Sequence, residues 1–318
     1  MNKIQKFIHK TREIGFLGTL KFILNKYSGY SGAAKCQEEV DTLYYFLNNY
    51  VDITALPPAK GSLRKLQLCD AVMLKVFDNI CRHEGWTYWL SWGTLLGAVR
   101  HKGFIPWDDD LDICMMRDDF NKAGQKLPEI LASYGKDTLT FGIAHKGWQY
   151  LHWNRDLTGI WCDIFPVDTV YTSCDDETYR KNLLKEVSQY KKAFEKRKNS
   201  ITYDEMDRMK KHIVNAGGGS IAMALHEAEF SYTPLLCRMD AVLPVSTVEF
   251  EGYTLSAPHD THRYLTEAFG DYMQFPREGV EHHDAGTGTP LSGWADVHGT
   301  DMDEVLDKLK DIEKFFRS

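Results

Sequence analysis

Four carboxylates fall within five positions of one short run, Trp107-Asp108-Asp109-Asp110-Leu111-Asp112. Apolar residues continue on both sides, with Phe104, Ile105 and Pro106 before the acids and Ile113, Cys114, Met115 and Met116 after them. Such flanks are those of a buried strand, not of a solvated acidic loop. Alternate side chains of a strand share a face, so this register groups Asp108, Asp110 and Asp112 and turns Asp109 and Leu111 away. Carboxylates crowded in apolar surroundings repel one another and are costly to desolvate, which calls for a cation among them. Oxygen ligands alone favour a hard ion, Mg²⁺ or Mn²⁺. The bland alternative is an acidic turn that caps the next helix, and the apolar continuation on both sides counts against it.

A second chemical feature lies just upstream. Trp86–Trp92 is an aromatic and β-branched run that predicts a strand, Gly93-Thr94 ends it, and Leu95, Leu96, Ala98 and Val99 predict a short helix. A Gly-Thr turn between strand and helix offers backbone N–H groups and a hydroxyl to a phosphate. Arg100 and Lys102 add positive charge beside it, so Gly93, Thr94, Arg100 and Lys102 are the expected phosphate contacts. Far downstream, Arg277 and the pair His282-His283 precede a loop rich in Gly and Thr. No Cys or third His is spaced to complete a zinc site with that pair, so Arg277 and His282 are better phosphate contacts than metal ligands.

The stretch from Gly93-Thr94-Leu95-Leu96-Gly97-Ala98-Val99-Arg100-His101-Lys102-Gly103-Phe104 through Trp107-Asp108-Asp109-Asp110-Leu111-Asp112 closely resembles the signature of the LicD family. That family includes bacterial phosphorylcholine transferases and is related to the fukutin-type transferases. Two further blocks resemble it too, Trp161–Asp168 (WCDIFPVD) and Tyr264-Leu265 through Phe269-Gly270-Asp271-Tyr272-Met273, where Phe269 replaces the usual Tyr. The resemblance covers roughly residues 60 to 285. It implies an α+β nucleotidyltransferase fold of the DNA polymerase beta type, a mixed sheet with flanking helices. In that pattern a third carboxylate arrives on a neighbouring strand, and Asp163 matches its place, so the implied catalytic set is Asp110, Asp112 and Asp163. Asp108 joins them as a metal ligand.

The resemblance further implies a metal-dependent transferase. It would move a phospho-alcohol from a CDP-activated, CDP-choline-like donor to a hydroxyl of a surface glycan or lipid-linked oligosaccharide, such as lipopolysaccharide, teichoic acid or capsule, and release CMP. The competing reading is a nucleotidyltransferase that forms an NMP adduct or an activated sugar and releases pyrophosphate. A catalytically dead binding module is a third, and the intact acidic set counts against it. Tryptophans near the acids (Trp89, Trp92, Trp107) would suit a quaternary ammonium through cation–π contact, although they would equally suit an ordinary core.

The rest of the chain must position these groups. Helical periodicity marks Gln37–Tyr50 and Ser62–His83, the second expected to lie across the sheet. Arg117–Ser133 predicts a helix with Asp118 and Asp119 in its first turn. Leu139–His145 and Trp148–Trp153 predict two strands, and Gly159–Phe165 a third. Residues 175–215 are rich in lysine and predict helices, ending at Gly217-Gly218-Gly219. Val248–Leu255 predicts a hairpin bending at Glu251-Gly252, Pro258–Phe269 a helix and Met302–Phe316 an amphipathic one. The expected organisation is therefore N-terminal helices over 1–58, a catalytic core over 59–172, a helical insert or lid over 173–245, and a C-terminal completing part over 246–318.

Composition narrows the setting. The 318 residues carry a formal charge of −7, which argues against a nucleic-acid binder. Seven cysteines without paired spacing predict reduced thiols. No run of about 18 apolar residues predicts a transmembrane helix. Residues 1–30 mix six Lys and Arg with apolar residues and one acid, which suits two alternatives, an amphipathic helix resting on an anionic membrane surface or a helix packed on the domain with its lysines in water. Together these features predict a cytoplasmic protein, peripheral at the inner face of the cell membrane if the first alternative holds.

Overall fold

The computed structural model describes residues 33–135, 138–143, 149–153, 159–172, 221–226, 235–276 and 301–317, with a few helical residues between 177 and 185. The chain divides into two compact units, Met1–Asp52 and Ile53–Ser318. The first contributes one described helix, α1 (Ala33–Tyr50), in which the rings of Phe46 and Tyr50 stack one turn apart.

The second unit begins its main framework with α2 (Gly61–Glu84), whose apolar face includes Leu66, Met73, Leu74, Phe77 and Ile80, all buried. The helix stops at Gly85, which takes the left-handed conformation (φ 71°) and returns its N–H to the carbonyl of Cys81. Three residues later the chain enters β1 (Tyr88–Leu90), every residue of which is buried. Helix α3 (Trp92–His101) follows at once, then the acidic loop, and then β2 (Asp112–Met116). Helix α4 (Arg117–Tyr134) starts with Asp118 and Asp119 in its first turn, where carboxylates face the positive end of the helix dipole.

The remaining strands are β3 (Leu139–Ile143), β4 (Gln149–Trp153), β5 (Trp161–Thr172), β6 (Ile221–His226) and β7 (Leu236–Arg238). Among the described residues they join β1 and β2 in one mixed sheet, with the order β1-β2-β5-β4-β3 and with β6 pairing both β5 and β7. Among the described strands only β2 and β5 run parallel; the other pairs are antiparallel. The expected α+β class with a mixed sheet and flanking helices is what the chain forms.

Within residues 173–245, where a helical insert or lid is expected, β6 and β7 extend the central sheet through β5. The lysine-rich run that suggested helices mostly lies outside the described residues. Lysine content identifies a solvated surface, not the return of the chain to a sheet edge.

After the short helix α5 (Met239–Val242) comes the hairpin β8 (Ser246–Phe250) and β9 (Tyr253–Ala257). It bends at Glu251-Gly252, both with positive φ (49° and 79°), as the Glu-Gly pair predicts. Helix α6 (Thr261–Phe269) is capped by Asp260, whose carboxylate accepts from the Arg263 N–H. Helix α7 (Met302–Phe316) is capped by Asp301 and buries Val305, Leu309 and Ile312. It lies along α2, where Asn79 donates to the Glu313 carboxylate at 3.0 Å in a buried contact. Five described cysteines (69, 81, 114, 162 and 237) are buried and unbridged. Among the described residues no helix is long and apolar enough to cross a membrane.

Candidate active site

The acids stand where the sheet meets the loop before β2. That strand begins at Asp112, and Asp108, Asp109, Asp110 and Leu111 precede it. The expected alternation of faces therefore does not reach Asp108–Asp110. A turn forms instead, with the Asp108 N–H donating to the Ile105 carbonyl at 2.9 Å. It brings carboxylate oxygens of Asp108, Asp109 and Asp110 all within 4.8 Å of one another. Asp109 was assigned to the opposite face and belongs to the cluster. The reason is that an extended loop and a strand carry the same apolar flanks, while only the strand enforces a period of two.

Leu111 anchors the loop. Its side chain is fully buried, a contribution of roughly 1.5–3 kcal/mol. Its carbonyl accepts from the Asp163 N–H at 2.8 Å, and this contact opens the parallel ladder in which Asp112 lies opposite Asp163. The third carboxylate thus comes from the adjacent strand β5, the place the resemblance implied for it.

Helix α3 fixes the loop from the other side. Trp92, its first residue, sits in the left-handed region (φ 43°), an uncommon conformation for a bulky side chain. The turn it makes directs Gly93 at the acids. A β-carbon on Gly93 would stand 2.7 Å from Oδ2 of Asp108, so only glycine lets that carboxylate close on the backbone. Gly93 and Thr94 were expected in a turn between strand and helix and lie instead in the first helical turn, where backbone N–H groups lack intrahelical partners. The Thr94 hydroxyl is turned inward and accepts from the Asp112 N–H at 2.8 Å.

Arg100 comes from the last turn of α3. It is 5% exposed, donates from one terminal nitrogen to the Tyr272 carbonyl at 3.1 Å, and leaves Nε without a partner. Burial lowers its pKa to about 10 while the nearby Asp108 opposes that shift, so the guanidinium stays charged at neutral pH. Burial and the Arg100 charge bring His101 down to about 4, which keeps it neutral. Lys102 leaves the site: it is the left-handed residue that ends α3, and its ammonium approaches Glu249 of β8 at 3.3 Å. Arg277 and His282 lie outside the described residues.

Electrostatics bind the acids into one unit. Burial raises the carboxyl of Asp108 well above the usual range, and Asp110 and Asp109 add to it. Asp112 is raised likewise, by burial first and then by Asp110, Asp163 and Asp108. Oδ2 of Asp108 is buried without a hydrogen-bond partner. An orphaned carboxylate oxygen inside a cluster of oxygen donors is what a hard divalent cation satisfies, so these residues fit Mg²⁺ or Mn²⁺.

Two contributors are absent from the sequence reading. Gln67 of α2 donates from Nε2 to the Asp108 carbonyl at 2.8 Å and to the Ile105 carbonyl at 3.3 Å, pinning the loop. Asp70, one helical turn on, is fully buried, and its carboxyl is raised by burial, then by Asp110 and Asp109. The signal was available: Asp70 sits four residues from both Leu66 and Leu74, on the apolar face of its helix. Behind α3, the Tyr264 hydroxyl lies 2.8 Å from Ser91 Oγ and accepts from Trp89 Nε1 at 3.3 Å, which ties α6 to the strand end that launches α3. Asp168 forms a two-pronged pair with Arg117 at 2.6 and 2.9 Å, on β5 beyond the acids.

The sequence is similar to known proteins. Residues 85–206 match the model of the LicD/FKTN/FKRP nucleotidyltransferase domain. Over 266 residues the chain is 26% identical to the lipopolysaccharide cholinephosphotransferase LicD of Haemophilus influenzae, an alignment that covers 69% of this chain and 94% of that protein. A 42-residue segment is 60% identical to uncharacterized proteins of Rickettsia prowazekii and Rickettsia typhi, covering 13% of this chain and 16% and 14% of theirs. Over residues 85–206 the chain carries a LicD-family domain.

Proposed function

We propose that this protein is a cation-dependent phosphotransferase. It moves phosphocholine from CDP-choline to a hydroxyl of lipopolysaccharide or a related surface glycan and releases CMP. One observation carries the reading: Asp112 and Asp163 face each other across the parallel β2–β5 pair, beside the carboxylate cluster of Asp108, Asp109 and Asp110. The likeness to a lipopolysaccharide cholinephosphotransferase supplies the substrate class.

In this reading Asp108, Asp110, Asp112 and Asp163 hold Mg²⁺ or Mn²⁺, and Asp109 joins them. When bound, the cation neutralises the donor diphosphate and eases ionisation of the acceptor hydroxyl. Asp163, on its own strand, takes the acceptor proton at a carboxylate oxygen. The N-terminal turn of α3 at Gly93 and Thr94 presents backbone N–H groups to the donor phosphates. Arg100 opposes the upward shift of the Asp108 carboxyl from within the fold, and its interaction with the donor runs through that carboxylate.

The test incubates the purified protein and Mg²⁺ with CDP-choline and a lipopolysaccharide acceptor, then identifies the released nucleotide. CMP appearing in step with phosphocholine on the acceptor is the expected result. Pyrophosphate from a nucleoside triphosphate, with no CMP from CDP-choline, would replace the proposal with nucleotidyl transfer.

A further inference from the structure

Helix α2 meets the acidic loop with two buried polar side chains, Gln67 and Asp70, three residues apart and so on one face. Gln67 is committed to the loop backbone. Asp70 is committed to nothing: both its carboxylate oxygens are buried without a hydrogen-bond partner. The Trp161 backbone N–H favours its charged form without reaching hydrogen-bond geometry. The other buried acid of α2, Asp78, shows the contrast. It accepts from Lys75 at 2.6 Å, from Arg82 at 2.8 Å and from the Tyr88 hydroxyl at 2.9 Å.

Buried carboxylates are almost always paired, because an unpaired one forfeits its hydration with nothing in return. Among the described residues no basic side chain acts on Asp70; the side-chain charges that reach it are those of Asp110 and Asp109. It is also not among the three residues whose oxygens gather within 4.8 Å. Asp70 is thus a buried, unpartnered acceptor on the part of α2 that meets the acidic loop, outside the three-residue cluster. A hard cation in that cluster keeps some of its water, and each such water is a donor seeking an acceptor.

We propose that Asp70 is a positioning residue of the cation site, its carboxylate accepting hydrogen bonds from water carried by the ion that Asp109 and Asp110 hold. The inference rests on reading the acidic loop as a cation site. Partners of this outer kind orient the ligands around an ion, and their loss typically weakens its binding 10- to 100-fold. Asp70 also links the ion to α2, so the loop is held by Gln67 through its backbone and by Asp70 through its cargo.

The experiment titrates Mn²⁺ into the metal-free full-length protein by calorimetry and compares wild type, Asp70→Asn and Asp70→Ala. Both variants should bind Mn²⁺ roughly 10- to 100-fold more weakly. Their melting temperatures in EDTA should equal or exceed that of wild type, since an uncompensated buried acid has gone. Wild-type Mn²⁺ affinity in either folded variant would overturn the role of Asp70 and leave the cation site standing. A wild-type protein that binds no Mn²⁺ would overturn the cation site, and Asp70 with it. Failure of both variants to fold without metal would also overturn the proposal, because the carboxylate would then serve the fold itself.

Discussion

The hydroxyl of Thr94 accepts the backbone N–H of Asp112 at 2.8 Å, joining the first turn of α3 to the first residue of β2. One side chain thereby sets the spacing between the Gly-Thr turn and the acid that faces Asp163. Thr94 is 2% exposed, so no water can take its place. Thr94→Val keeps the shape and removes the acceptor, leaving the Asp112 N–H unpaired. It should cost about 1–3 kcal/mol in urea unfolding. Thr94→Ser should recover most of that loss, and equal stability in the Val and Ser variants would show that the bond contributes nothing.

Gly93→Ala places a methyl 2.7 Å from the present position of Asp108 Oδ2, and the carboxylate has to move. Displacements of this size at a reacting centre cost on the order of 100-fold in rate. Turnover should fall by about that factor with little change in melting temperature. A variant with wild-type kcat would mean that Asp108 does not need its present place.

Removal of single acids should grade by position. Asp110→Asn and Asp112→Asn should abolish transfer while leaving the metal-free fold as stable as before, or more so, because a repulsive charge is gone. Asp109→Asn should weaken Mn²⁺ binding as well, in line with its place among Asp108 and Asp110. Calorimetry on the three variants checks this, and full Mn²⁺ affinity in Asp109→Asn would return that residue to a bystander.

The raised carboxyls give stability a pH dependence of known sign. Asp70, Asp108 and Asp112 are all pushed above the ordinary aspartate range, chiefly by burial. An unfolded aspartate gives up its proton near pH 4. Above that value the metal-free folded protein binds more protons than the unfolded chain, so stability falls as pH rises towards the raised folded values. Melting temperature in EDTA should therefore decline between about pH 5 and about pH 8, and Mg²⁺ should restore more of it at the upper end. A flat profile in EDTA would show that these acids keep ordinary pKa values.

Much of this site was legible in the residues because spacing carries its chemistry. Four acids in five positions inside apolar flanks, and Asp163 between Cys162 and Ile164, identify carboxylates brought together at strand ends. Glu251-Gly252 announces a tight turn, and Met302–Phe316 announces its helix by period. The start of β2 was not legible, since nothing local tells an extended loop from a strand until a partner fixes the register. Gln67 and Asp70 escaped notice because helical patterning sorts residues into apolar and polar faces. An acid on the apolar face is explained only by what the other elements bring to it. Lys102 looked like a phosphate contact from its neighbours in sequence, but the left-handed turn that ends α3 sends it to Glu249.

The helix that carries Gln67 and Asp70 is held in place by residues that come much later. Arg64 is clamped to Glu251 of the hairpin turn, 187 positions on, and Asn79 reaches Glu313, 234 positions on. Contacts over such separations close late in folding, because the intervening chain must first be ordered. During synthesis, then, the acidic loop leaves the ribosome long before its floor can be seated. A half-made chain therefore carries all four acids of the loop before α7 has reached α2.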